Sequence, residues 1–476
     1  MARTRSSQSR PMTDLGNAER LVDRHGADLR YVYVDRKWLA WDGTRWRRDD
    51  TGEIERRAID TIQAIRDEAR AMPRETDAER AMADAMHKHA KASQAASRIH
   101  SVVDLARSSL SCLGSAFDAD PWLLNSGAGT VDLRNGELRA HSREDMLTKL
   151  AGIEVGSADE CPRWRSFVLD VVGGDADLAN FLQRAAGYAA TALREERVLV
   201  VLLGPTGTGK TTLLEILRLA LGEYADVTGM ATLLGATSGS SIPNDVAALA
   251  GLRLVIASEA DDSRAWDGTK VKLLTGNDAI SARRLYADFS TFVPSHHLWI
   301  STNSLPSVTR TGDTALFERL RIVPFAPARG PRDPKLPAAL QAELPAILGW
   351  IIEGVQLWQQ DGLQPTAAMR DALQAYRDGV DPVSVWLREC ADLSDPQAQS
   401  RVGEVYGDYC RWSGAAHELA LGVQDFGRRL IDAGLNRRRG RNGERRWVGL
   451  RLESDDSARV PTPVRLGPRP VKTEAA

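Results

Sequence analysis

The sequence predicts an α/β protein. It has a P-loop core, a mainly helical amino-terminal domain ahead of it and a winged-helix-like module behind it. Three observations carry this prediction. Continuous apolar runs at 197–204 (RVLVVLLG), 253–258 (RLVIAS) and 297–302 (HLWIST) alternate with helical segments. Strands buried on both faces of a parallel sheet read this way. The first run leads straight into GPTGTGKT (204–211), and the chain continues past the third run into helices followed by an arginine-rich hairpin.

Taken in order, residues 1–12 are polar and basic and are expected to be disordered. Residues 13–192 form the amino-terminal domain. A helical stretch from Asn17 to His25 precedes the strand-like RYVYVDRKWLAWDGTRWRRD, in which WDGTRW reads as a turn between two strands. Ala, Arg and Met at helical spacing over 58–117, broken by Pro73, predict two or three helices. WLLNSGAGTVDLRNGELRAHS follows as a β-like piece with two Gly-bearing turns, and helices resume from Trp164 to Ala192. The core is assigned to 193–330. Residues 331–382 read as a helical linker region, opened by the Pro-rich segment 326–337 and carrying helices at 338–361 and 366–377. The tail module spans 383–453, and 454–476 reads as a disordered tail.

Composition narrows the class. A chain of 476 residues is expected to hold about two to four domains. With 43% apolar and 26% charged residues it is neither collagenous nor wholly disordered. Cys112, Cys161, Cys390 and Cys410 stand far apart, which argues against a secreted disulfide scaffold and gives no zinc site. No apolar run is long enough for a membrane span, and the basic start lacks the apolar stretch of a signal peptide. A cytoplasmic protein is expected. The net charge of −2 hides a skew, because only nine of the 62 Lys+Arg residues are lysine. A lysine inside a motif is therefore less often there by accident.

GPTGTGKT supplies each part that triphosphate binding needs. Gly204, Gly207 and Gly209, with Pro205, Thr206 and Thr208 between them, allow a tight turn whose N–H groups point at phosphate oxygens. The helix N-terminus formed by Lys210, Thr211 and Thr212 adds its positive dipole end. Lys210 is suited to the β/γ-phosphates and the Thr211 hydroxyl to magnesium, so ATP and Mg2+ are the expected cofactors. A carboxylate at a neighbouring strand end is needed to hold the metal and polarise water. Glu259, directly after RLVIAS, is the candidate for both roles, with Asp261 and Asp262 as alternatives. Asn303, at the end of LWISTN, is placed to orient water. Arg319, 16 residues further on, is a candidate for a neighbour's γ-phosphate.

The set GPTGTGKT, RLVIASE, KLLTGNDAISARRLY, LWISTN and FERLRIVPF, in this order, resembles a superfamily 3 helicase. More closely it is similar to the phage and plasmid primase-helicases related to the poxvirus helicase-primase. NAERLVDRHG, WLAWDGTRW and LLNSGAGTVDLRNGEL look like the domain that precedes the helicase in that family, and YGDYCRWSG with FGRRL resembles its carboxy-terminal module. The resemblance covers about residues 13–453. It implies an AAA+-like core, a Walker A pair Lys210 and Thr211, a Walker B acid Glu259, a sensor Asn303 and a finger Arg319 acting on the adjacent subunit of a homo-hexameric ring. It also implies that Lys272 to Tyr286 forms a pore hairpin with Arg283, Arg284 and Tyr286 near its tip. The sequence departs from the family pattern at Ala260, where a polar residue is common, and at Glu318, which replaces the first of an Arg pair and leaves Arg321 as a rival finger.

Arg beside Tyr also fits single-strand binding from the residues alone, by gripping phosphate and stacking on a base. In the tail, helices at Val402–Trp412 and Val423–Ala433 precede LNRRRGRNGERRWVGLRL, a hairpin turning at 441–443. From Phe426 to Arg451 nine arginines face two acids, so Arg437, Arg438, Arg439 and Arg441 are candidate DNA contacts. The expected function is an ATP-driven DNA helicase on single-stranded and forked DNA in phage- or plasmid-like replication, in the bacterial host cytoplasm if phage-encoded. An ATP-regulated initiator or regulator that does not unwind is the alternative, and a small-molecule kinase the more distant one. Only 12 residues precede the family-like region. A primase domain has no room there, and a separate primase with other replication proteins is the expected partner set.

Overall fold

The computed structural model describes residues 10–230, 234, 244–258, 265–283, 289–308, 313–327, 333–415, 420–439 and 444–452. The chain forms two compact units. The first holds residues to Ser157 with Ala190–Ala192 and Ala220–Tyr224, and the second holds the remainder. The helix Pro162–Val171 and all but the last residue of Ala176–Ala190 therefore count with the second unit, although the sequence reading set them in the amino-terminal domain.

In the first unit the helices Asp14–His25, Glu53–Ala71, Asp77–Ala92 and Ala96–Ser109 accompany two three-stranded antiparallel sheets. The strand-like stretch becomes Leu29–Val32, Lys37–Trp41 and Trp46–Arg48. Its turn closes because Asp42 Oδ1 accepts from the N–H groups of Thr44 (2.8 Å) and Arg45 (2.9 Å). Thr76 and Glu79 cap the third helix reciprocally. Leu21, Leu29, Ala58, Val102 and Ala106 fill the core between them.

The second unit is built on a parallel sheet of five strands: Leu199–Leu203, Ala225–Gly229, Leu254–Ser258, His297–Thr302 and Leu320–Pro324. Counted along the chain, their spatial order is fifth, first, fourth, third, second. The three apolar runs are the first, third and fourth of these, and they lie side by side. Every residue of His297–Thr302 is buried, as a strand covered on both faces requires. The helices after the Pro-rich segment pack into this unit and are not a spacer. Tyr376, on Ala367–Val380, joins the sheet's core cluster and accepts from Trp266 Nε1 at 3.0 Å. Helix Leu344–Asp361 crosses Ala176–Ala190 where Gly187 meets Gly354. A Cβ on Gly187 would lie 2.2 Å from the Gly354 carbonyl carbon. Among the described residues no single helix is long and apolar enough to cross a membrane.

The tail runs helix Pro382–Cys390, strand Gln399–Arg401, helices Val402–Ala415 and Val423–Asp432, then the hairpin Asn436–Arg439 with Arg445–Val448. Trp386, Tyr409, Phe426 and Trp447 form its core.

Candidate functional site

The loop after the first core strand and Asn303 after the fourth meet at the carboxyl edge of the sheet. The register sets this, since Thr302 pairs with Leu203 and the Gly204 N–H donates to the Thr302 carbonyl at 3.3 Å. Lys210 opens the helix Lys210–Leu221, whose buried Leu213, Leu214, Leu217 and Leu221 anchor it. The Lys210 ammonium is nearly buried and donates to the carbonyls of Gly204 (2.6 Å) and Pro205 (2.9 Å) and to Asn303 Oδ1 (3.0 Å). Asn303 in turn donates from Nδ2 to Thr206 Oγ1 at 3.2 Å. Thr208 is buried and donates to the Pro205 carbonyl at 3.0 Å, whereas Thr211 is exposed at the start of the helix and Thr212 half-buried.

Gly209 is required by geometry. Its φ is +91°, and a Cβ there would lie 2.7 Å from Val171 Cγ1 and 3.1 Å from Phe167 Cε2. The helix Pro162–Val171 thus supports the loop from behind. The loop holds a lysine ammonium beside an amide, with a hydroxyl exposed one residue on. This is a donor set suited to a polyphosphate and a hard cation.

Glu259, the residue after Ser258, lies outside the described residues, as do Asp261 and Asp262. The strand that leads to it sits beside the Asn303 strand, with Ser258 level with Ser301.

At the opposite, amino edge of the sheet lies Arg319, at the end of the helix Thr314–Arg319. Its Nε donates to Thr275 Oγ1 at 3.1 Å and its Nη1 to the Ala315 carbonyl at 2.7 Å. Arg321 is turned inward. It donates to the carbonyls of Glu318 (2.8 Å) and Leu363 (3.4 Å), and burial lowers its pKa. Lys272 sits in the helix Gly268–Thr275, not in a hairpin strand, and pairs with Asp313 at 3.0 Å. The hairpin itself is Ile280–Arg283 against Phe289–Phe292. The Arg283 side chain, Arg284 and Tyr286 lie outside the described residues.

Sequence reading missed Arg194. Its guanidinium donates to the carbonyls of Leu274 (3.2 Å), Gly276 and His296, tying together the chain on both sides of the hairpin. Burial lowers its pKa to about 10. The acceptors are all backbone carbonyls about 80 to 100 residues away, so no local pattern signals the role.

In the tail, Arg437 stacks over the Trp447 ring at 4.9 Å, while Arg438 and Arg439 are exposed on the same strand. Arg441 lies outside the described residues.

Comparison with known proteins bears on this arrangement. Residues 18–173 match the family described as D5 N terminal like, and residues 202–319 match a family of unknown function. A protein of Acanthamoeba polyphaga mimivirus named as a helicase is 26% identical over 212 residues. That match takes in 44% of this chain and 22% of the relative. One of Frog virus 3, also named as a helicase, is 26% identical over 265 residues, 51% of this chain and 27% of the relative. The chain thus matches about a quarter of the length of these curated relatives. The apo structure of the NrS-1 C terminal region aligns with a TM-score of 0.51 at 9% identity, over 92% of this chain and 99% of that one. At that identity the likeness concerns the fold alone.

Proposed function

We propose, for a chain related to the phage and viral primase-helicases, that it is an ATP-dependent DNA helicase of the superfamily 3 type. The observation that carries the reading is the convergence of Lys210 and Asn303 on one loop within a five-stranded parallel sheet in the order fifth, first, fourth, third, second. That order agrees with an AAA+-like P-loop core.

The residues divide the work as follows. The loop amides and Lys210 would hold the polyphosphate, and Thr211 with Glu259 would hold magnesium, which would neutralise developing charge. Asn303 can leave Lys210 for a water once phosphate takes the lysine. The catalytic burden is positioning and charge neutralisation.

The sheet register supports a finger that acts on a neighbour. Leu320 pairs with Leu199, whereas the loop starts after Leu203. Arg319, one residue before Leu320, stands level with Val198 and so six residues short of Gly204, about 20 Å along the strands at about 3.3 Å per residue. Arg321 is held by Leu363 and Glu318, which favours Arg319 for that role. Such a site is completed only between subunits, consistent with a ring, most simply a hexamer. The tail, with Pro382–Cys390, Gln399–Arg401 and the hairpin around two further helices, has the element order of a winged helix.

Two measurements test the reading. ATP hydrolysis is expected to rise with single-stranded DNA and to vanish in Lys210→Ala. Strand displacement on a forked duplex is expected from the wild type. Hydrolysis without displacement would favour the initiator or regulator alternative, and hydrolysis at the wild-type rate by folded Lys210→Ala would remove the ATPase assignment.

A further inference from the structure

A winged helix commonly reads DNA with its last helix in the major groove. Here that helix is poorly suited to the task. On Val423–Asp432 the exposed positions are Val423, Gln424, Asp425, Arg428, Ile431 and Asp432. Its one exposed arginine, Arg428, is paired with Asp425, so this surface is net acidic.

The sheet beside it has the opposite character. The strand Arg445–Val448 lies between Gln399–Arg401 and Asn436–Arg439. Arg446 pairs with Arg401 on one side and with Arg438 on the other. Residues directly opposite share a face, so these three arginines form a row across all three strands. The other face carries buried Trp447 with Arg437 stacked on it, so the arginine row is on the solvent side. The next row on that side is Gln399, Val448 and Asn436.

Like charges directly opposite one another destabilise a sheet. Glu444 offsets part of this, lying 3.1 Å from Arg401 and 3.6 Å from Arg446, and Glu404 adds a contact to Arg401 at 3.5 Å. Arg438 stands exposed at the far end of the row.

We propose that this face, Arg401–Arg446–Arg438 with Gln399 and Asn436, is the module's nucleic-acid surface and that it grips the phosphate backbone of duplex DNA without reading sequence. The proposal rests on the reading that the chain works on DNA. At about 4.8 Å between strands the row spans about 10 Å, and three guanidinium groups splayed from it can each meet a neighbouring phosphate of one backbone. Single-strand grooves rely on aromatic side chains under the bases, and among the described residues this face has none. That favours the outside of a duplex. Base reading would require a helix or side chains in a groove, and the acidic helix surface does not provide them. Arg437 is occupied by Trp447, so it supports the face from behind instead of contacting DNA.

The test uses the whole 476-residue chain without nucleotide, which keeps it separate from the ATPase assignment. Binding is followed by fluorescence anisotropy across a salt series, with two duplexes of unrelated sequence and a poly-dT strand as probes. Arg401→Gln, Arg438→Gln and Arg446→Gln should each reduce the slope of log affinity against log salt by about 0.9, and the triple variant by about 2.7. The corresponding triple lysine variant should keep the slope. Glu444→Gln removes the competing carboxylate and should tighten duplex binding several-fold. Both duplexes should bind alike. Arg438→Gln, at an exposed edge, remains informative if the triple variant fails to fold. An unchanged slope in folded Arg438→Gln and Arg446→Gln, loss confined to poly-dT, or a preference between the duplexes would each overturn the proposal. None of these results would touch the Lys210 test.

Discussion

A mixing experiment addresses the placement of Arg319. The perturbation is a pair of single variants, Arg319→Ala and Lys210→Ala, dissociated, mixed at varied ratios and reassembled. Arg319 is held at the amino edge of the sheet by Thr275 and the Ala315 carbonyl, while the loop and Lys210 lie at the carboxyl edge. If the arginine completes a neighbour's site, Arg319→Ala should lower hydrolysis by about three orders of magnitude or more. Lys210→Ala should abolish it. Neither variant alone forms a whole site. In a mixed ring, a site forms wherever an Arg319→Ala subunit supplies the loop and a Lys210→Ala subunit supplies the finger. With random assembly the fraction of such interfaces is the product of the two subunit fractions, so activity should peak at about a quarter of the wild-type rate at equal mixing, given finger action in trans. The assay is steady-state ATP turnover on sized particles. A flat, inactive curve from properly assembled rings would refute the trans assignment and turn attention to Arg321.

Three further outcomes follow from particular contacts. Gly209→Ala combines a φ of +91° with a Cβ 2.7 Å from Val171 Cγ1. It should cost about 3 kcal/mol and weaken ATP binding, read by thermal melting and nucleotide titration. His296 is buried beside Arg194, and desolvation first, then that positive charge, pushes its pKa down to about 3 from 6.5. Between those values the unfolded chain binds the extra proton, so stability should fall on acidification by up to about 1.4 kcal/mol per pH unit, a slope that His296→Gln should flatten in denaturant titrations. Trp447→Ala empties the centre of the tail core, where Trp447 is wholly buried. It should destabilise that module by about 3–5 kcal/mol, seen as earlier loss of protection of Tyr409 and Phe426 amides in hydrogen exchange.

What the sequence disclosed depended on how local each signal is. The loop and the three buried strands are contiguous patterns, and Asn303 follows from one of them by position alone. The tail hairpin was legible for the same reason, because strand, turn and strand are adjacent in the chain. The extent of the hairpin Ile280–Arg283 with Phe289–Phe292 was not. Lys272 lies in a helix started by Asp267, whose side chain accepts from the N–H groups of Thr269 and Lys270. An Asp before a short apolar-periodic stretch that ends at Gly276 is a helix signature, whereas the family resemblance implies a hairpin that starts at Lys272. Arg194, Thr275 and Asp313 act on partners about 40 to 100 residues away, and only the folded chain reveals those pairings.

The two edges of the sheet carry different groups. At the carboxyl edge, Lys210 is held by the Gly204 and Pro205 carbonyls and by Asn303, within its own chain. At the amino edge, Arg319 is bound to Thr275, the last residue of the helix Gly268–Thr275. The carbonyls of Leu274 and Gly276 at that helix end are held by Arg194, whose third acceptor, His296, lies beyond the hairpin. The Thr275 hydroxyl is already committed as a donor to Val271, at 2.7 Å, so its lone pair is what orients the arginine. One short helix therefore carries both the residue that positions Arg319 and the backbone that leads into the hairpin. A chain folded this way keeps its phosphate loop and its arginine on opposite edges of one rigid sheet. If Arg319 completes a phosphate site, as proposed, that site belongs to a second copy, and a shift in how Arg319 meets it would fall on the same helix end that supports the hairpin.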